Sequence, residues 1–534
     1  MNARPAEGSE QPGCPRDAAL RSLAQPDGVE GLLWPMLIVL AAAASRLWDL
    51  ERFSLSGDEA FSLVFADVPI ALAWKAMIVD AVHPPLYYLV LRGGLALLGR
   101  TEFALRFPSV LFGILAVPLL FALARRLTGR RGVALLAASL LALSPLHTWY
   151  SQDARMYALY VCLVLATTWL FIRLVQEQAG PSAGRRRTLQ WGALVVVSAL
   201  AYCTHYFALF LPLVQFVFLA MTLRQHHRLL RIWVIAQVLA FAPLALWLAA
   251  VYGQGELGFG VGWIPTPGLW DVFITLWNFS VAWSGEMWPW AIGVGLMLGA
   301  LAFGVLSWRS VAADGPEPSP VCYENMSARQ TRLWLVLWLF APLFLSLALS
   351  AITPLYVDRF MLLTLPAYLL LVAWGALSVR AQAVRLFWAG AILACTFVAL
   401  LHVHSSSAFA REDWRGLARY LEQASRPADV IVLRYFQYKF PFEYYYRGPA
   451  RLAVLTVNTA TGRLEDLARG HERLWLIYRL PNQSGHALRS SFSLAWDRDE
   501  ENADVRAWLA VHVDSVFEET ARFASLHLLG FDIN

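Results

Sequence analysis

The chain has 534 residues, 58% hydrophobic and only 15% charged, with 23 Trp, 18 Tyr and 30 Phe. That is more apolar side chain than a soluble core can hide, and aromatic rings with a polar edge gather where hydrocarbon meets headgroups, so the composition predicts a polytopic membrane protein. The net charge of +5 comes from short basic clusters between apolar runs, a topology signal that offers nothing for binding nucleic acid.

Residues 1–30 are rich in Pro, Gly and charge and lack the apolar core and cleavage site of a signal peptide, which predicts a disordered cytoplasmic leader. A membrane span needs about 20 mostly apolar residues. Such runs lie near 32–49, 104–124, 132–150, 157–175, 189–206, 207–223, 229–251, 288–308, 333–352, 360–378 and 385–402. A further run, HPPLYYLVLRGGLALLG at 83–99, is short, opens on two prolines and carries Arg92.

Arginines decide whether that run spans. The clusters Arg125, Arg126, Arg130 and Arg131, Arg185–Arg187, Arg224, Arg228 and Arg231, and Arg380 with Arg385 should all face the cytoplasm. They do so only if 83–99 lies in the interface. The expectation is therefore about eleven spans with the N-terminus inside, residues 31–403 forming the transmembrane unit, and 50–103 an outer loop of interfacial helices.

Beyond residue 404 the charge rises. A helix-like REDWRGLARYLEQA precedes DVIVL, then FPFEYYYR precedes RLAVLTV, and ERLWLIYRL and the helix candidate ADVRAWLAVH follow. Helices alternating with short apolar strands predict a small extracytoplasmic α/β domain over 404–534. Glycine-rich phosphate loops and internal repeats are not evident. Cys14, Cys162, Cys203, Cys322 and Cys395 are odd in number and widely spaced, which argues against disulfides and zinc.

With this topology the unusual polar residues collect at the outer ends of the spans. Asp58 and Glu59, in SLSGDEAFSL, either start a helix, with Ser56 or Asp58 as its cap, or supply a general base, for which Asp58 is the better candidate. His83 before Pro84 and Pro85 marks a rigid turn and is placed to donate to a phosphate. In SQDARMY, Asp153 and Arg155 read as an interfacial ion pair or as a site that orients an acceptor and holds an anion. His205 and Arg359 singly read as snorkelling bases; together with Arg155 they suggest a cradle for a lipid phosphate. No chemistry is assigned to Asp413-Trp414-Arg415-Gly416.

In their order, GDEAFSL, HPPLYYLV, ARRLTGRR, SPLHTWYSQDARMYAL, THYFALF and VDRFMLL resemble the bacterial branch of the dolichyl-phosphate-mannose protein mannosyltransferase family, GT-C glycosyltransferases related to the lipid A aminoarabinose transferase. The resemblance covers roughly 30–400. It implies a multi-pass enzyme of the inner (plasma) membrane that moves a sugar from a polyprenyl-phosphate donor to an extracytoplasmic lipid, polysaccharide or protein, with inversion and without a nucleotide sugar. Asp58 matches the catalytic acid position, Glu59 its neighbour and Asp153 the second acidic position. His83 and His205 stand where the aminoarabinose enzymes carry Lys, Arg359 falls at a basic position before a late span, and Tyr157 joins the substrate-binding set. No cofactor is required by this reading; two carboxylates are compatible with a divalent cation but do not demand one. The rival readings are a transporter or scramblase of lipid-linked sugars without transferase activity, and a binding protein that works through its outer domain.

Overall fold

The computed structural model describes residues 29–177, 184–253, 264–284, 287–306 and 326–455, and beyond these 464, 466–467, 469–479, 508, 511, 516–524 and 526–532. The leader, save its last two residues, and the helix candidate at 503–512, save Trp508 and Val511, lie outside the described residues, as do Cys14 and Cys322. Cys162, Cys203 and Cys395 are free thiols.

The chain opens with helix α1 (Val29–Leu47). Three short helices follow, α2 (Gly57–Asp67), α3 (Ile70–Asp80) and α4 (Leu86–Leu98), and then the long α5 (Glu102–Thr128). At about 1.5 Å per residue the 13-residue α4 is too short to cross a bilayer. The run at 132–150 is not one straight helix. It breaks into α6 (Arg131–Leu143) and α7 (Pro145–Ser151), bent by 56°, because Pro145 cannot continue the hydrogen-bond ladder and the Ser144 side chain caps the new start. Arg46 of α1, fully buried, fills the break: its guanidinium donates to Ala142 O at 2.9 Å, Leu141 O at 3.0 Å and His147 Nδ1 at 2.9 Å.

The bundle continues with α8 (Tyr157–Gln176), α9 (Arg185–Tyr202), α10 (Phe210–Met221), α11 (Leu223–Tyr252), α12 (Leu269–Val281), α13 (Met287–Leu306), α14 (Ala328–Leu349), α15 (Leu365–Ala376) and α16 (Gln382–Ser405). Among the described residues six helices are long and apolar enough to cross a membrane, seven with the bent pair counted as one span, and shorter apolar helices complete the bundle. Helix α12 was not singled out in the sequence. It has 13 residues, and Asp271 and Asn278 dilute its apolar character. Helices α13 and α15 meet backbone to backbone, and a Cβ added at Gly375 would lie 1.8 Å from Ala300 O.

After α16 the chain forms a second core. Helix α17 (Trp414–Ala424) starts on Asp413, whose carboxylate accepts from Gly416 N at 2.8 Å, and α18 (Lys439–Tyr445) precedes the second strand. The strands are β1 (Val430–Leu433), β2 (Arg451–Val454), β3 (Arg473–Arg479), β4 (Val516–Phe523) and β5 (Leu526–Asp532), in the order β2-β1-β3-β5-β4. Strand β1 runs parallel to β2 and β3, whereas β5 is antiparallel to β3 and β4, so the sheet is mixed.

This α/β unit docks on both ends of the 50–103 loop. Trp414 N donates to Ser54 Oγ at 3.1 Å, Arg415 Nη2 to Glu51 O at 3.0 Å, and Leu55 N to Tyr445 Oη at 2.8 Å. Glu102 accepts from both Arg415 and Tyr445.

Candidate functional site

The helix-start reading of SLSGDEAFSL holds. Ser56 caps α2 by accepting from Glu59 N at 3.2 Å, and the Glu59 carboxylate accepts from Ser56 N at 3.0 Å, a capping box. The box turns adjacent carboxylates to different surroundings. Glu59 points inward with 0% exposure and is gripped by Arg106 of α5, Nε to Oε1 at 2.7 Å and Nη2 to Oε2 at 2.8 Å. Arg411 Nη1 adds 2.9 Å to Oε2 and Ala154 N adds 3.0 Å to Oε1. Burial alone would raise the Glu59 carboxyl, but Arg106 and Arg411 outweigh it and hold it well below the carboxylate range. With both oxygens occupied, Glu59 is a fixed anion that anchors the loop.

Asp58 faces the other way, and its side chain is 53% exposed with Oδ2 3.6 Å from Arg359 Nη1. The surrounding protein alone would raise its carboxyl, but Arg155 and Arg359 prevail and lower it. Arg155, buried, donates from Nη1 to Asp58 O at 3.3 Å and Ser62 Oγ at 3.2 Å. Arg359 follows Asp358, whose carboxylate accepts from Asn278 Nδ2 at 2.8 Å, Trp283 Nε1 at 3.0 Å and Arg359 N at 2.7 Å.

Two distant turns bring the histidines together. Ala81, at φ 52°, ends α3 in the left-handed region, and its carbonyl accepts from Tyr206 Oη at 3.1 Å. Leu86 N donates to Cys203 O at 3.0 Å, which leaves the rings of His83 and His205 5.8 Å apart. His205 stacks on Tyr160 at 4.8 Å, and its Nδ1 accepts from Phe207 N at 3.2 Å, so Nε2 is the nitrogen able to donate. Burial, then Arg155 and Arg359, push His205 down to about 3; burial with Arg155, His205 and Arg359 pushes His83 well below its ordinary value. Both rings are therefore neutral at pH 7. Beside two guanidiniums and out of water an imidazolium is too costly, so either ring would serve as a neutral hydrogen-bond donor.

Asp153 sits behind Asp58, 8% exposed, with Oδ1 3.5 Å from Arg411 Nη1 and no hydrogen bond on that oxygen. Burial raises it from 3.8 to about 7; Arg411 and Arg155 pull it down while Glu59 and Asp58 push it up. Tyr157, 1% exposed, meets His205 at 6.1 Å between ring centroids.

Buried polar atoms without a hydrogen bond collect here: Asp153 Oδ1, Arg155 Nε, His205 Nε2 and the hydroxyls of Tyr88 and Tyr157. Both phenols lie within electrostatic reach of Asp58 and Arg155. Such atoms are normally satisfied, so their concentration beside Asp58 marks a place where a polar ligand would find partners. Asp58, His83, Asp153, Arg155, Tyr157, His205 and Arg359 thus share one region, with Glu59 as its anchor. Sequence reasoning missed Tyr88, Arg106 and Arg411. Tyr88 adjoins the HPPL motif and was legible; Arg106 lay inside an apolar run, and Arg411 opened REDWRGLARYLEQA, read only as a helix of the outer domain.

Among the described residues no group of three or more His, Cys, Asp or Glu is arranged to hold a metal ion. The donor set does not fit one either: Glu59 is saturated, and Arg155, Arg359 and Arg411 crowd Asp58 and Asp153.

The fold is that of a multi-pass membrane protein of the helical GT-C type. Residues 82–252 match the model of the family described as dolichyl-phosphate-mannose-protein mannosyltransferase, which bears out the resemblance read from the motifs. The structure is similar to that of ArnT from Cupriavidus metallidurans in the apo state, at 14% identity and TM-score 0.56, over 94% of this chain and 98% of that one. ArnT bound to undecaprenyl phosphate matches equally, at 14% identity and TM-score 0.56, over 93% and 98%. The Archaeoglobus fulgidus oligosaccharyltransferase in complex with Zn and sulfate matches at 12% identity and TM-score 0.52, over 83% of this chain and 67% of that one. Comparison with curated protein sequences gives no match.

Proposed function

We propose that the protein is an inverting glycosyltransferase that moves a sugar from a polyprenyl-phosphate donor to an acceptor outside the cytoplasm, with Asp58 as general base. The observation that carries the reading is the exposed Asp58 carboxylate 3.6 Å from Arg359, beside buried polar groups that lack partners. A neighbour of the same fold is seen bound to undecaprenyl phosphate, a ligand of this class.

In this reading Arg155 and Arg359 take the lipid phosphate, and neutral His205 and the Tyr88 and Tyr157 hydroxyls donate to its oxygens or to the sugar. His83 stands beside His205, 5.8 Å away between ring centroids. The bond from the anomeric carbon to the phosphate oxygen breaks, the electron pair leaves with the phosphate, and the guanidiniums stabilise the charge that collects there. An acceptor hydroxyl or amine attacks from the opposite face while Asp58 takes its proton. The same two guanidiniums lower the Asp58 carboxyl. A bound phosphate would neutralise them and raise the proton affinity of Asp58 when a base is needed. Asp153, once ionised, adds to that effect.

In this reading the membrane is the inner (plasma) membrane, as the resemblance implies, and the arginine clusters support a cytoplasmic N-terminus with residues 404–534 as an outer domain. The test is turnover of a polyprenyl-phosphate sugar by purified protein. Asp58→Asn should reduce transfer by about 10²- to 10⁴-fold. Transfer unchanged by that substitution overturns the mechanism, and lipid movement without transfer would identify a scramblase.

A further inference from the structure

Arg411 belongs to neither half of the fold. It lies in the stretch between α16 and α17, some 350 residues beyond the loop it touches, yet its side chain is only 8% exposed. One guanidinium nitrogen, Nη1, serves both acids of the site's inner end, at 2.9 Å from Glu59 Oε2 and 3.5 Å from Asp153 Oδ1. The guanidinium also lies over the Trp149 ring at 4.7 Å, and Trp149 packs edge-on against Trp283, the residue that donates to Asp358 beside Arg359. The contact thus reaches the loop carrying Asp58, the turn carrying Asp153 and, through two indoles, the segment carrying Arg359.

The surrounding contacts show what holds Arg411 there. Ser54 donates to Glu412 O and accepts from Trp414 N, so the residues flanking Arg411 are fastened four positions before Asp58. Tyr445 holds Leu55 N, and Arg415 holds Glu51 O and Glu102. Every one of these bonds is made by the α/β unit or its linker to the ends of the catalytic loop. If that unit lifts away, Glu59 loses one of two guanidiniums and Asp153 loses its nearest cation.

We propose that Arg411 is a positioning residue through which docking of the α/β unit fixes the geometry and charge of the Asp58 loop. The proposal rests on the reading of Asp58 as the base; Arg411 itself touches neither donor nor acceptor. The α/β unit then acts as a clamp, and an undocked form of the enzyme is an inactive one.

Asp153 reports on the clamp. Besides Arg411, the charged groups that face it are Asp58 and Glu59 from α2, Arg106 from α5 and Arg155 from its own turn. The phenols of Tyr87, Tyr150 and Tyr157 complete its surroundings. Of these, Arg411 is the cation that lowers Asp153 most.

The experiment is an infrared titration of the purified full-length protein, following the carboxylic acid band that is lost in Asp153→Asn. Arg411→Gln should move the midpoint of that band upward by about one pH unit. Arg411→Lys, which keeps the charge in a smaller head, should move it less, and is read alone if the Gln variant does not fold. Arg415→Gln, which loosens docking at Glu51 and Glu102 without touching either acid, should move it the same way by a smaller amount. In turnover, Arg411→Gln should lower the rate at least tenfold while undecaprenyl phosphate binds as before. A midpoint unmoved in the Arg411 variants, or unmoved by Arg415→Gln, overturns the proposal. The titration involves no turnover, so it stands or falls separately from the loss expected in Asp58→Asn.

Discussion

Glu59 and Arg106 form a two-pronged ion pair sealed from solvent, with nitrogen to oxygen distances of 2.7 and 2.8 Å and side chains 0% and 2% exposed. Breaking such a pair from one side strands a buried charge, and here Arg411 is stranded as well. Glu59→Gln should destabilise the protein by about 3–5 kcal/mol, read as a lowered melting temperature in detergent. The adjacent Asp58→Asn, at a half-exposed side chain, should shift stability by less than about 0.5 kcal/mol while transfer collapses. Equal effects of the two substitutions on melting would contradict the division of labour between the two carboxylates.

Asp153 gives stability a pH dependence with a definite sign. Its carboxyl titrates near 7 in the fold against an ordinary 3.8. The folded state therefore keeps a proton that the unfolded chain has released, so this contribution is intact in acid and is lost as pH rises from about 4 to about 7. Asp153→Asn removes the titration. The variant should match the parent at about pH 4 and melt higher than it at about pH 8, in thermal scans at both values.

Phosphate binding should follow the arginines. Replacing Arg155 or Arg359 by Gln removes a charge-assisted contact worth about 1.5–3 kcal/mol, so undecaprenyl phosphate should bind about ten- to a hundredfold more weakly. Because His83 and His205 are held neutral, the protein's affinity should show no step assignable to them between about pH 6 and pH 8. A step abolished by His205→Gln would count against this.

How much of this was legible in the sequence depends on the range of the interaction. The GDE, HPP and QDAR motifs are local, and the residues they named lie together. The sequence alone gave no means of telling which member of Asp58-Glu59 faces inward, because that is decided by Arg106 and Arg411, 47 and 352 positions away. The charge of the histidines was illegible for a similar reason: it depends on burial and on guanidiniums contributed by other segments. Helix α12 escaped notice because a composition search asks for about 20 apolar residues, and a short helix inside a bundle need not supply them. Strands β4 and β5 passed unremarked because alternating strands carry a weaker signal than apolar runs.

The crossing of α13 and α15 tests packing rather than chemistry. Gly375→Ala would place a methyl carbon 1.8 Å from the Ala300 carbonyl and 2.7 Å from Gly304 N, both backbone atoms that cannot turn aside. The helices must separate, with a cost of about 1–3 kcal/mol. Gly390→Ala, in α16 with no atom within 4 Å of the added carbon, is the matched control and should be tolerated.

Arg46 carries a consequence for how the protein is made. Its partners Leu141, Ala142 and His147 are 95, 96 and 101 residues further along the chain. When the first hydrophobic helix leaves the ribosome, those carbonyls and that imidazole have not been synthesised, and the guanidinium must stay hydrated at the translocon or the membrane surface. This corner of the bundle can therefore close only after the bent pair has arrived, so biogenesis includes a late assembly step that a stop in translation before residue 147 would leave undone.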